Sequence, residues 1–396
     1  MTAAVLVVNA GSSSIKFAAY ADGGEEPELV LKGQLEGIGQ DPSFAAKNAA
    51  GELVDEWDEW PRGSGLDHAG AIDFILKRLH ETRPDLEIVA AGHRVVHGGV
   101  AYDRPVRVDE AVLQALAEFV PLAPLHQPHN LAGIRAVAAV DPALPQVACF
   151  DTAFHRGKPL VAEIFALPRA LTASGIHRYG FHGLSYEYIA RRLPRLVPSA
   201  RRVVVAHLGN GASMCAIKDG RSVDSTMGFT AVDGLPMGTR SGALDPGVLL
   251  FLLQERGYDA AALERLLYKE AGLLGISQIS NDMRDLLASR DPRAGEAVDV
   301  FCYHIAKNLG ALAATLGGLD ALVFTAGIGE NAAEIRAQVC ELSAWMGIEL
   351  DAEANRLNGP GLTTPRSAVS AWVIPTDEER MIAIHTRDVI GISAGN

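Results

Sequence analysis

Val5-Leu6-Val7-Val8 is an unbroken apolar run, the pattern of a short buried strand. Asn9-Ala10-Gly11-Ser12-Ser13-Ser14 follows it, small and turn-prone, and Ile15-Lys16-Phe17 starts a returning strand. Residues 1–60 continue as short strands broken by Gly-rich turns such as Asp22-Gly23-Gly24. Apolar spacing over about 68–82 predicts an amphipathic helix. A buried strand over Glu87 to Ala91 then runs into His93-Arg94-Val95-Val96-His97-Gly98-Gly99. Asp109 is placed to N-cap a helix with Val112, Leu113, Leu116 and Phe119 on one face. The Pro/His-rich stretch Pro121 to Asn130 leads to a helix ending near Val140, and Val147 to Phe150 forms a strand ending at Asp151.

The second half repeats the opening pattern. Val203 to Ala206 is apolar, His207-Leu208-Gly209-Asn210-Gly211 is a turn, and Ala212-Ser213 begins a return that ends at Lys218-Asp219-Gly220. Two such hairpins, one in each half, suggest a duplicated domain with a cleft between the copies. Asp245-Pro246, Asp259 and Asp291-Pro292 read as helix starts, the last opening a helix to about Leu316. Ala321 to Thr325 is a strand that ends in Ala326-Gly327-Ile328-Gly329-Glu330-Asn331, where Asn331 and Glu334 form a capping-box pair. Ala371 to Ile374 is a strand, and Thr376-Asp377-Glu378-Glu379 opens the final helix. Alternating strands and helices predict an α/β architecture. The divisions fall at 1–150 and 151–384, with a terminal helix over about 385–396.

Composition narrows the classes. A 396-residue chain that is 48% hydrophobic and 21% charged can bury a large core in two domains. A net charge of −13 argues against nucleic acid or an anionic membrane as partner, so basic residues act locally. The four cysteines are far apart and form no C-x-x-C pair, which favours reduced thiols in a cytoplasm. The first residues lack the basic region of a signal peptide, and no stretch approaches the ~20 apolar residues of a membrane span.

Three glycine-rich turns stand at strand ends: Asn9 to Ser14, His207 to Ser213, and Gly327 to Asn331. Small residues there let backbone N–H groups face an anion, as for the phosphates of a nucleotide, though the same residues also make ordinary turns. The first turn is not a Walker loop, because G-x-x-x-x-G-K-[ST] is absent. Ser12 and Ser14 can donate hydrogen bonds, Lys16 offers a positive charge, and Asn9 can orient a metal-bound water. Arg94 and Arg240 suit a carboxylate or phosphoryl group, because the guanidinium donates in pairs and stays charged. His182, in Tyr179-Gly180-Phe181-His182-Gly183, can donate to a phosphoryl group, and Asp151 and Glu378 can serve a metal. Ion pairs, caps and structural histidines would use the same residue types.

These motifs, with Phe150-Asp151-Thr152-Ala153-Phe154-His155, Gly238-Thr239-Arg240, Asp282-Met283-Arg284 and Thr376-Asp377-Glu378-Glu379, occur in one order along the chain. The whole chain resembles the acetate kinase family of short-chain carboxylate kinases, within the sugar kinase, heat-shock chaperone and actin superfamily. The resemblance implies duplicated actin-like (ribonuclease H-like) domains with a nucleotide cleft between them. It implies ATP/ADP and Mg2+ (or Mn2+), a homodimer, and a last helix packed on the first domain.

By residue, it implies Asn9 and Glu378 for the metal, and Ser14, Lys16 and the turn His207, Leu208, Gly209, Asn210, Gly211 for the phosphates. It implies Asp282, Met283, Arg284 and Gly327, Ile328, Gly329, Glu330, Asn331 for the adenosine end. Arg94 would bind the carboxylate, Asp151 would be the catalytic acid, and His182 and Arg240 would stabilise the transition state. Val96, Leu125, Phe181 and position 231 would wall the acyl pocket. At position 231 the family usually has Pro and this chain has Ala231, which leaves acyl preference open. The expected reaction is reversible phosphoryl transfer from ATP to acetate. A propionate or butyrate kinase, or an actin-like or chaperone-like ATPase switch, is the alternative.

Overall fold

The computed structural model describes residues 1–22, 24, 26–60, 65–124 and 126–392. Gly23 of the first Gly-rich turn and Leu125 of the acyl-pocket set lie outside the described residues. The chain divides into two compact units, Met1–Phe154 with Asp377–Asn396, and His155–Thr376. From the sequence the divisions read as 150/151 and 384/385; by contacts they fall at 154/155 and 376/377.

The first unit is built on β1 (Thr2–Ala10), β2 (Ser14–Ala21), β3 (Glu28–Glu36), β4 (Ser43–Asn48), β5 (Leu53–Trp57), β6 (Leu86–Val95), β7 (Val106–Arg107) and β8 (Gln146–Phe150). They form one sheet in the order β5-β4-β3-β2-β1-β6-β8-β7. β1 to β5 are antiparallel neighbours, whereas β6 runs parallel to both β1 and β8. Helix His68–Thr82, capped by Asp67, buries Ala71, Ile72, Ile75 and Leu79 against Leu6, Val8, Ile15 and Phe17. Helix Glu378–Ile390, capped by Asp377, packs on β1, β6 and β8; it opens at Thr376-Asp377-Glu378-Glu379 as read from the sequence, ahead of the 385 at which the sequence reading divides off the terminal segment. A β-carbon on Gly92 of β6 would lie 2.2 Å from Thr386 Oγ1, so glycine there is what lets this helix approach the sheet.

The second unit contains β9 (Arg202–Leu208), β10 (Ala212–Lys218), β11 (Arg221–Ser225), β12 (Ala321–Thr325) and β13 (Ser370–Val373), in the order β11-β10-β9-β12-β13. Three antiparallel strands are followed by two parallel ones. The series β3-β2-β1-β6-β8 of the first unit has the same order and directions, so the duplication suggested by the two hairpins is present in the topology. All of β12, and β9 and β10 apart from one end residue each, are buried, as expected of strands covered on both faces. Helix Pro292–Leu316, capped by Asp291 and ended by Gly317 in the left-handed region, packs on β9, β10 and β11. Asp245 and Asp259 also cap helices as expected from their positions.

Candidate active site

In each unit the candidate residues gather at the carboxyl ends of the parallel strands, where open α/β sheets bind ligands. In the first unit Val8 pairs with His93, and Arg94 with Cys149, so Asn9, Arg94 and Asp151 end three adjacent strands. Lys16 pairs with Asn9 across the first hairpin and is exposed; Ser14 opens β2, and its carbonyl accepts from Gly11 N at 2.8 Å. Arg94 donates to Asp151 from Nε (3.1 Å to each oxygen) and from Nη2 (2.7 Å). Its Nη1 lies 3.8 Å from Glu378 Oε2. Burial works against the Arg94 charge, but Asp151 and Glu378 more than offset it and hold the guanidinium above its ordinary range. Burial pushes the Glu378 carboxyl up to about 7, with Asp151, Glu379 and Asp377 adding to the rise and Arg94 opposing it.

The loop after β6 is held by side chains from elsewhere in the first unit. Asn130 Oδ1 accepts from Val96 N (3.0 Å), Gln127 Oε1 from His97 N (3.2 Å) and Thr152 Oγ1 from Gly98 N (3.1 Å). Val96 is thereby fixed as a buried residue one step beyond β6.

In the second unit, His182 caps helix Gly183–Leu196 in the left-handed region, at φ 58°. Its Nδ1 is 2.8 Å from Ser213 Oγ, which also meets the Tyr186 hydroxyl. The His182 ring stacks on His207, centroids 4.3 Å apart, and His207 Nδ1 meets Ser185 Oγ at 2.9 Å. A β-carbon on Gly211 would lie 3.3 Å from His182 Nε2 and 3.6 Å from Arg240 Nη1. One on Gly209 would lie 3.6 Å from His207 Nε2. Two histidines and an arginine therefore converge on a glycine turn with open backbone, an arrangement suited to a phosphoryl group. Arg240 is braced by the Ala231 carbonyl, 3.1 Å from Nη1.

A cavity of about 530 Å³ opens beside this turn, within the range of small-molecule sites. Its lining includes Gly209, Asn210, Asp282, Met283, Arg284, Gly327, Ile328 and Asn331.

The chain matches the Acetokinase family over residues 4–384. It is 55% identical over 394 residues to an acetate kinase of Rhodopseudomonas palustris, covering 97% of this chain and 98% of that one. An acetate kinase of Rhizobium meliloti is 50% identical, with 98% of each covered. The chain belongs to the Acetokinase family. Among solved structures, a propionate kinase from Francisella tularensis superposes with a TM-score of 0.91 at 35% identity, and acetate kinase from Porphyromonas gingivalis with 0.88 at 38%. Each comparison covers 98% of this chain and 100% of the other. As a member of the Acetokinase family the chain is an ATP-dependent carboxylate phosphotransferase, and its two sheets are the duplicated actin-like domains of that fold. A nucleotide switch acting only through a partner is set aside.

Several positions carried over from the family stand away from the cavity. Leu208 is a fully buried core residue of β9. Gly329 is buried under Phe324, and Glu330 turns inward, its Oε1 accepting from Ala326 N (2.8 Å) and Thr376 N (3.2 Å). The capping box expected at Asn331 is absent. A short helix already runs Ala326–Asn331, the next begins at Ala333 without a side-chain cap, and Asn331 Nδ2 donates back to Gly327 O at 2.9 Å. Asp282 is used as a cap for Arg284 N, and the Arg284 guanidinium folds back onto it. That pairing holds the Asp282 carboxyl down at about 2. Nothing in the sequence singles out Ser185, Tyr186 or Gln127, whereas Ser213 reads there only as the end of the His207 turn and Asn130 only as the end of a loop; a polar residue in an apolar segment, as Ser213 in β10, is the one signal of its hydrogen-bonding role.

Proposed function

We propose that the chain catalyses reversible transfer of the ATP γ-phosphoryl group to acetate, giving acetyl phosphate and ADP. The observation that carries this reading is the convergence of His182 and Arg240 on Gly211 beside a nucleotide-sized cavity. The acetate kinases among its relatives support the choice of acetate. Adenosine would occupy the cavity near Met283 and Ile328, with the phosphates along the turn His207–Gly211.

Asp151 grips the Nε–Nη2 edge of the Arg94 guanidinium, and the Nη1 side, 3.8 Å from Glu378 Oε2, is where a substrate carboxylate would bind. Acetate is already ionised at neutral pH, so no general base is needed. Asp151 therefore orients Arg94, while His182 and Arg240 offset charge as the phosphoryl group moves.

Among the described residues, no group of three or more His, Cys, Asp or Glu could cage a metal. The chemistry of Asn9 and Glu378 nevertheless fits Mg2+ or Mn2+, ions that take one or two carboxylates and complete their shell with water and phosphate oxygens. Glu378 crowded by other carboxylates is a group that gains from a nearby cation. When bound, the ion would neutralise phosphate charge; Asn9 and Glu378 would hold it through water.

The chain would form a homodimer through an apolar face of the second unit. It would work in the cytoplasm, a reading supported by four buried cysteines, none of them in a disulfide. No described helix is long and apolar enough to cross a membrane.

The test is trapping of acyl phosphate with hydroxylamine, from ATP and acetate against propionate and no acid. Trapped product with neither acid would sink the reading. A second reading, broader acyl preference, rests on Ala231. Replacing a Pro ring by Ala leaves room for one methylene, worth ~0.8 kcal/mol when buried. Propionate should come within about tenfold of acetate in kcat/KM. Ala231→Pro should then lower propionate turnover more than acetate turnover; an unchanged ratio removes Ala231 from the pocket.

A further inference from the structure

His155 ends the motif Phe150 to His155 and has no part in the chemistry above, yet it is fully buried beneath it. Its Nε2 lies 2.9 Å from the Phe181 carbonyl oxygen and its Nδ1 2.8 Å from Ser222 Oγ. A carbonyl only accepts, so Nε2 carries the proton and Nδ1 accepts from the serine. Three residues on, buried Lys158 donates to the carbonyls of Arg178 (2.8 Å) and Tyr179 (3.2 Å). Two buried side chains from one short segment thus hold the carbonyls of 178, 179 and 181. A β-carbon on Gly180 would sit 2.7 Å from the His155 ring, so this backbone lies directly on the imidazole. The Tyr179 and Gly180 amides in turn donate to Gly228 O.

The next residue is His182, held left-handed at φ 58°, a conformation that disfavours any residue with a β-carbon. Such a conformation persists only where its surroundings over-determine it. We infer that His155 is a positioning residue: its Nε2–H bond to the Phe181 carbonyl fixes the left-handed turn that aims His182 Nε2 at the transferring phosphoryl group. The inference rests on the role given to His182 under Proposed function. Burial, with Lys158 nearby, pulls the His155 ring down to about 3, which keeps it neutral and its donor at Nε2.

The test uses two isosteric cuts of the ring. Asparagine reproduces the reach of Nδ1 but not of Nε2; glutamine reproduces the Nε2 donor. His155→Asn should lower kcat by about 10- to 100-fold, the cost of a small misplacement, with the ATP KM within about twofold. His155→Gln should retain kcat within about threefold, a rescue that loss of packing alone would not give. On a His182→Ala background, His155→Asn should change kcat by less than about twofold, because its target is gone. Equal losses in the Asn and Gln variants, or a full multiplicative loss on that background, would overturn the inference. If His155→Asn does not fold, Ser222→Ala releases the ring at Nδ1 and should show the same kcat-only, His182-dependent loss; unchanged kcat there overturns it. A His182→Ala enzyme with normal kcat would instead remove His182 from the reaction, and this inference with it.

Discussion

At the residue scale, the candidate site is made of charged side chains whose neighbours leave one edge or face usable. Arg94 has one edge fixed by Asp151, and Arg240 is fixed through the Ala231 carbonyl. A charge that meets the phosphoryl group only as it transfers contributes to kcat and not to nucleotide affinity. Arg240→Ala should therefore lower kcat by at least about 100-fold, with ADP affinity nearly unchanged. Calorimetric binding of ADP alongside initial rates checks this, and near-normal kcat excludes Arg240. Structural histidines behave differently. His93 is buried, with Nε2 donating to Gln146 Oε1 at 2.7 Å, and burial pulls it down to about 4. Its unfolded value is ~6.5, so below that pH the unfolded chain binds the extra proton. The stability His93 contributes is complete above ~6.5 and is lost as pH falls towards 4. His93→Phe should cost about 1–3 kcal/mol at pH 7, because Gln146 loses its donor. Its stability should also fall less steeply with acid, by up to about 1.4 kcal/mol per pH unit. Urea unfolding from pH 7 to 4 measures both effects, and parallel curves for the two proteins would rule His93 out as the titrating group.

At the element scale, strands and caps were legible because their signals are local. The apolar runs at Val5 and Val203 became β1 and β9, and Asp109, Asp245, Asp259 and Asp291 each cap the helix that follows. The candidate site was legible as motifs at strand ends, since a loop that must approach a ligand is written in glycine and small polar residues. What stayed hidden depends on tertiary partners. Asn331 has the residue type of a cap, but a carbonyl four residues back competes for its side chain. Glu330 looks like a ligand-facing acid and is drawn inward by backbone amides. Nothing local announces Arg336, which is fully buried with five hydrogen bonds to neutral acceptors, among them the Gly329 and Glu330 carbonyls at the end of helix Ala326–Asn331. A short helix this close to the cavity needs such a clamp to hold Gly327 and Ile328 in place. Arg336→Met keeps the volume but orphans those acceptors, and should destabilise by about 2–4 kcal/mol. ADP should bind several-fold more weakly while kcat at saturation stays within about threefold. Thermal melts and ADP titration test the pair; weaker stability with unchanged ADP affinity would limit Arg336 to a structural role.

At the scale of the whole molecule, the duplicated topology gives each unit one sheet whose carboxyl edge carries part of the chemistry. Arg94, Asp151 and Glu378 belong to one unit and His182, His207 and Arg240 to the other. The formal charge of −13 makes close approach of two chains unfavourable unless apolar burial outweighs repulsion. Helix Pro246–Glu255 in the second unit is suited to supply it. None of its residues is buried, and Val248, Leu250, Phe251 and Leu253 are each 42–54% exposed, with Leu244 just before it at 45%. Aqueous exposure of an almost wholly apolar helix has no role in a lone chain, whereas contiguous apolar patches mark association surfaces. A self-complementary contact on this helix would bring its copy against it, as a two-fold axis requires. Leu250→Asp with Phe251→Asp would place two charges on each side of that contact. Light scattering should then give the mass of two chains for the parent protein and of one chain for the double variant. The parent dimer should also persist at about 1 M salt, since an apolar contact gains nothing from opposite charges that salt could screen. A double variant that keeps the mass of two chains, or a parent dimer that dissociates as salt is added, would move the contact away from this helix.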